Sequence, residues 1–320
     1  MKTLLTILLL LSSLYASKLQ MPSAFYKADG GVTDILLTSD KLYAATSVGV
    51  VDILSLKSKK IIKRITLKKM KNFLGETSTV KIFSIDYIDG RLLILAQASR
   101  GYREVYLYEN GILTKIISAT ERLSIAKAKF IDKNTLVLAL LGNDIISFDI
   151  SKHKQNWRTQ ASLSAFSNFA LNEDKSKLIV ADESGELHLY ATKDASLLKS
   201  LKGENLDNVF DVAFENGIIA TAGKDRRCVI YDLSSQSSYY KESHFFIYGV
   251  GLSPSAKLAA YTSDEQNHIT LFETKTKKDI ATFGGNSMTV SEIIFTTEDE
   301  FYVASNAKTI NFYKIEGGVK

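Results

Sequence analysis

The sequence predicts an all-β fold, a seven-bladed β-propeller closed by an N-terminal strand, and three observations carry that prediction. The stretch 208–233 reads as three short strands joined by two tight turns. The same grammar recurs with a period of roughly 40 residues, the range in which repeats build rings and solenoids. No long run keeps a period of 3.6, and the apolar runs are almost free of Pro, so little of the chain is left for helix.

The repeat is clearest in 208–233. Residues 209–214 alternate apolar and polar, and Glu215-Asn216-Gly217 is turn chemistry. A small apolar run follows at 218–222, and Gly223-Lys224-Asp225 turns the chain again before 228–232. The stretch resembles a WD40 repeat, with Asp225 standing at that family's turn aspartate and Tyr231-Asp232 at its Trp-Asp pair. Aligning Asp211 with its counterparts gives Asp34, Ser84, Lys127, Asn168, Asp211, Gly249 and Glu292. Aligning Tyr231 gives Leu54, Tyr108, Phe148, Tyr190, Tyr231, Phe272 and Tyr313, an independent anchor in the same register. Units this short cannot bury an apolar face alone, so they must stack, and a closed ring needs no capping segment.

Taken in order, the chain opens on a leader. Residues 1–16 place Lys2 ahead of an apolar run and a small-residue end, the layout of a secretory signal peptide cleaved after Ala16. The apolar run 4–11 is well short of the ~20 residues that span a bilayer. No Cys follows the cleavage position, so no lipid anchor is expected there. The expectation is a periplasmic protein whose residues 17–320 form one propeller domain, with no Pro-, Gly- or Ser-rich linker inside it.

Blade one spans 31–67. Blade seven supplies 292–296, 300–305 and 308–313 and then runs out at Gly317-Gly318, so 23–27 is predicted to add its missing fourth strand and leave no open edge. Between 57 and 71 stand Lys57, Lys59, Lys60, Lys63, Arg64, Lys68, Lys69 and Lys71 without one acid. In a ring of antiparallel blades these divide: the first three fall on one face, Lys63 and Arg64 on the outer rim, and Lys68, Lys69 and Lys71 on the opposite face. In blade two, Asn110-Gly111 is the strongest hairpin signal in the chain, and the turn before it is enlarged to 98–103. That turn shares its face with the long connection 68–79, which makes two unusual loops neighbours. Further on, Asp182, Asp225 and Asp264 occupy matching turns as structural acceptors for local backbone donors. Pro254 opens a turn in blade six, where its fixed φ is favoured.

The inventory for catalysis is thin. A formal charge of +5, from 40 basic and 35 acidic residues, is too mild to imply nucleic acid or a membrane surface. Cys228 is the single cysteine, so no internal disulfide forms, and on a third strand with no base nearby it reads as a buried inert thiol. His153, His188, His244 and His268 fall in four blades and read as structural or solvated. The sequence has no Cys pair, phosphate loop or Gly-x-Ser-x-Gly. Trp157 stands alone, whereas a propeller that docks a quinone carries a tryptophan in most blades. The reading is a non-enzymatic protein with no cofactor and no metal. Asp34, Asn168, Asp211 and Glu292 keep one alternative open, a lactonase-like hydrolase with a divalent cation in the channel.

What remains is surface. The two neighbouring loops bring together Lys68, Lys69, Lys71, Phe73, Arg100, Tyr102 and Arg103, and Arg with aromatic residues is what interfaces use as anchors while positive charge steers an acidic partner. A protein partner, no nucleic acid, no membrane anchor and a monomeric ring are the expectations. A leader, seven degenerate repeats and this length together resemble the periplasmic accessory proteins of the NapL type. That resemblance implies a role in maturation or activity of the periplasmic nitrate reductase, in nitrate assimilation, without holding its cofactor, and it transfers no site residue. The alternative in the same class is a general cell-envelope scaffold of the outer-membrane assembly kind.

Overall fold

The structure, a computed structural model, describes residues 19–71 and 75–315. The expected leader and cleavage position, and Phe73, lie outside the described residues. Each repeat folds into a four-stranded antiparallel sheet, and seven such sheets form a ring, a β-propeller. Among the described residues, helix is confined to two 3-10 turns, Ser99–Gly101 and Ala119–Glu121.

Burial explains why strands of one blade differ in sequence. The second strand of blade two, Arg91–Gln97, buries every residue from Leu92 to Ala96 because neighbouring blades cover both its faces, so it reads as an unbroken apolar run. Fourth strands form the outer rim and turn polar, as Lys154–Gln160 does. The hairpin joining Arg103–Glu109 to Ile112–Ile117 has Asn110 at φ 50 and Gly111 at φ 84. Two consecutive left-handed residues match the twist of the flanking strands, which is why Asn-Gly stands there.

The apolar side chains collect in seven clusters, and each cluster spans one joint between neighbouring blades. At the joint of blades six and seven, for example, Phe283, Phe301 and Tyr313 are fully buried, and Phe301 stacks on Tyr313 with ring centroids 5.0 Å apart. The core is therefore a ring of interfaces around an axis left to the polar residues of the inner strands.

Closure follows the expectation from the two ends. Ala24–Lys27 pairs antiparallel with Thr309–Lys314 as the fourth strand of blade seven, with Phe25 opposite Asn311. The segment before it does something the sequence did not announce: Gln20 forms a parallel bridge to Phe283 on the outer strand of blade six. Its N–H donates to the Thr282 carbonyl at 2.9 Å, and Gly284 N–H donates to its carbonyl at 2.9 Å. One short strap thus ties blades six and seven together at the rim.

The meander also defines two faces. Turns between first and second and between third and fourth strands lie on one, the tight-turn face. Turns between second and third strands share the other, the connecting-loop face, with the links from blade to blade.

Candidate functional site

The positions aligned with Asp211 converge on the channel, and a local backbone feature puts them there. In six inner strands a bulge falls immediately before the aligned residue, between Val32 and Asp34, for instance, or Val209 and Asp211. A bulge re-aims the side chain that follows it. Each aligned side chain then reaches across to the next blade. Glu292 accepts Ile35 N–H at 3.0 Å, Asp34 accepts Ile85 N–H at 2.7 Å, and Ser84 Oγ accepts Ala128 N–H at 3.1 Å. Lys127 Nζ donates to the Phe169 carbonyl at 2.9 Å and to Asn168 Oδ1 at 2.7 Å. Asn168 Nδ2 donates to Asp211 Oδ1 at 2.9 Å, and Asp211 Oδ2 accepts Val250 N–H at 3.1 Å. Six joints are clasped in this way. The seventh, between blades six and seven, has Gly249 at the aligned position, and there the backbones close up: a Cβ on Gly251 would stand 2.5 Å from the Ile293 carbonyl oxygen.

The clasps concentrate charge. Lys129, two residues beyond Lys127, donates to the Ile85 carbonyl at 2.7 Å and pairs with Asp34 at 3.4 Å. Burial would push Lys129 down, but Asp34, Asp86 and Glu292 outweigh it and hold the ammonium in its charged form. For Lys127, burial and the neighbouring Lys129 prevail and push the pKa below the usual lysine range. Burial and the adjacent Asp34 carboxylate raise Glu292 well above the carboxylate range. Burial likewise pushes Asp211 up to about 6, against the pull of Lys127 and of the Val250 and Val212 amides.

The four polar residues that sequence reasoning grouped as candidate cation ligands, Asp34, Asn168, Asp211 and Glu292, are thus brought near one another. Their oxygens are engaged across blade joints, and two lysine ammoniums stand among them. Among the described residues, no group of three or more His, Cys, Asp or Glu is placed to hold a metal ion. The ring divides the channel into a cavity of 330 Å³ toward the tight-turn face and one of 200 Å³ toward the connecting-loop face. Lys129 and Asp86, which accepts Phe130 N–H at 2.7 Å, were missed from the sequence. The signal that could have found them is the same alignment moved two residues on, onto the same face of the strand.

The basic loops of blades one and two are neighbours, but their residues have different fates. Lys68, Lys69 and Lys71 are exposed and line a cavity of 730 Å³ together with Ser99 of the enlarged turn. Arg100 is exposed at the tip of that turn, in the left-handed region at φ 58. Tyr102 is half-buried. Arg103 serves its own loop: its guanidinium lies over the Phe83 ring at 4.0 Å and donates to the Gly101 and Tyr102 carbonyls at 2.7 and 3.1 Å. Arg64, assigned to the outer rim, reaches back to Asp52 at 2.9 Å.

The connecting-loop face has a second feature that the sequence left unmarked. Val48, Leu141, Leu163, Leu206, Phe246 and Met288 are large apolar residues exposed in its loops, with Leu163 96% exposed. Among the described residues, the turns of the opposite face expose none of that size, and the exposed Ile62, Ile112 and Leu197 stand at the strand ends that follow them. Around Phe246 the link from blade five to blade six gathers Phe245 and Tyr248, and Tyr248 stacks on Phe210 at 5.1 Å with 12° between the ring planes.

Elsewhere the polar residues are absorbed by the fold. Asp182 accepts Ser184 N–H at 2.9 Å, Asp225 accepts Arg227 N–H at 3.0 Å and Leu206 N–H at 2.7 Å, and Asp264 accepts Gln266 N–H at 3.0 Å. His188 Nδ1 stands 3.2 Å from Ser200 Oγ, His268 pairs with Asp264, His153 lies 3.8 Å from Glu121, and His244 is exposed. Trp157 donates to the Thr192 carbonyl at 3.0 Å. Cys228 is buried, and burial pushes its thiol far above the usual range.

The fold and the clasped channel define the class: this is a seven-bladed β-propeller. No protein-family model matches the chain, and no curated protein matches its sequence.

Proposed function

We propose that this chain is a non-enzymatic platform that binds another protein through its connecting-loop face. The observation that carries the reading is the asymmetry between the faces: exposed apolar loop residues occur on one and not on the other among the described residues. Exposed apolar groups gathered on one surface mark interaction sites, because water is expelled from them only when a partner covers them. The channel favours the same reading, since its polar groups are spent on holding blades together. The leader supports a periplasmic setting, and the resemblance to the NapL type makes a component of the periplasmic nitrate reductase the partner to test first. An envelope scaffold with other partners is the same mechanism at a different address.

The test is affinity capture from a periplasmic extract, comparing the wild-type chain with Leu163→Asp/Phe246→Asp. Partners held by the wild type and lost by the variant support the reading. Equal retention by both chains shows that this face is not the binding surface. Recovery of the nitrate reductase, or of outer-membrane assembly components instead, decides between the two addresses.

A further inference from the structure

A cavity of 730 Å³ lies away from the channel, at the joint of blades one and two on the connecting-loop side. That is within the range of small-molecule sites, roughly 300–1,000 Å³. Its walls come from the link after blade one and from the sheet of blade two, so the fold itself shapes it.

Two chemistries meet in the lining. Leu67 and Val80, each 5% exposed, form an apolar floor with Leu113. Lys68, Lys69, Lys71 and Lys115 stand around it. One carboxylate, Glu104, belongs to the lining, and its oxygens are already engaged by Lys115 Nζ at 2.7 Å and by the Tyr106 hydroxyl. That acid answers Lys115, while Lys68, Lys69 and Lys71 stand exposed at the rim of an apolar hollow. Water alone solvates lysines well but gains nothing from the floor, and a neutral apolar molecule uses the floor but not the rim.

We infer that this cavity binds a small anion with an apolar body, an alkyl or aryl phosphate or carboxylate, its charged group held by Lys69 and Lys71 and its body laid on Leu67, Val80 and Leu113. The site uses none of the apolar loop residues assigned to the protein partner, so it goes beyond that reading and stands or falls separately. Its chemistry is shared by a free amphiphile and by the headgroup end of an anionic lipid.

Octyl phosphate is the probe, titrated calorimetrically into the wild-type chain, with inorganic phosphate and n-octanol as its two halves. One equivalent is expected to bind, each half at least tenfold more weakly, with affinity falling as salt is raised. Lys69→Glu/Lys71→Glu should weaken binding at least tenfold, and Leu113→Asp likewise. Lys69→Gln/Lys71→Gln gives a milder loss in a chain whose thermal midpoint verifies that it is folded. Unsaturable binding, indifference to the lysine variants, or inorganic phosphate binding as well as octyl phosphate would each overturn the assignment. Vesicles containing anionic phospholipid separate the sources. Vesicles released by octyl phosphate place a lipid's anionic group in this site, whereas vesicles held regardless of octyl phosphate mean a general membrane surface and sink the proposal.

Discussion

At the scale of single residues, the channel shows how one aligned position can serve structure in chemically different ways. Asp and Glu accept a backbone N–H of the next blade, Ser does so with a hydroxyl, and Lys reverses the direction by donating to a carbonyl. What is preserved is a hydrogen bond across the joint. Asp34 is the most committed, since it is buried and answers both Ile85 N–H and Lys129. Asp34→Ala should lower stability by about 3–5 kcal/mol, the range for leaving a buried charge uncompensated. Urea unfolding measures it, and a loss under about 1 kcal/mol would show that the Lys129 ammonium finds water instead. Glu215 supplies a pH dependence. Burial, helped by the neighbouring Glu173, raises its carboxyl to about 7 in the folded chain, above the roughly 4.3 of an exposed glutamate. The folded state thus holds this proton more tightly than the unfolded one, so the stability linked to it is full below about pH 4 and is lost as pH rises to about 7. Glu215→Gln should equal wild type near pH 4 and exceed it at pH 8; identical pH profiles of the thermal midpoint would refute the assignment.

At the scale of elements, the joint between blades six and seven is built unlike the rest. Gly249 removes the clasp from the channel side, Gly251 lets the backbones approach, and the strap around Gln20 crosses the joint at the rim. Inner fastening has been exchanged for outer fastening. Removing residues 17–27 takes away both the strap and the fourth strand of blade seven, which exposes the edge of Thr309–Lys314. The shortened chain should unfold at a lower temperature and associate through that edge, because an unpaired strand offers free N–H and C=O groups to another molecule. Light scattering and calorimetry at two protein concentrations check this, and an unchanged mass and midpoint would mean that closure rests on the apolar joint alone.

At the scale of the whole molecule, stability is distributed over seven interfaces in place of one centre. Opening should therefore begin at a joint, and the glycine joint is the one whose channel side is unclasped. Native-state hydrogen exchange is expected to show the inner strands Val250–Leu252 and Val290–Phe295 exchanging before their counterparts in blades one to five. Uniform protection around the ring would remove the special status of this joint. The same distribution leaves the loops free to differ in chemistry without disturbing the sheets, which is how the loops of one face come to carry exposed apolar groups and a lysine-rimmed cavity while the described turns of the other expose none of that size.

The strands, their count and the ring were legible because they depend on local rules: apolar runs of strand length, turn dipeptides such as Asn110-Gly111, and a period that places Asp211 and its counterparts in register. The strand missing from blade seven was legible for the same reason, since 23–27 is extended chain with no partner of its own. What the tertiary structure alone decided is which side chains meet across a joint. Arg103 reads as a surface anchor in the sequence and becomes a brace against Phe83, because the residue it stacks on lies two strands away in the same blade, on its inner strand. Leu163 and Phe246 look like ordinary apolar residues until the faces are defined, and Lys68 looks like a solvated charge until a cavity opens beside it. Secondary structure and repeat are written in intervals of a few residues, whereas surfaces are made by residues some 40 positions apart, whose chemistry no local pattern constrains.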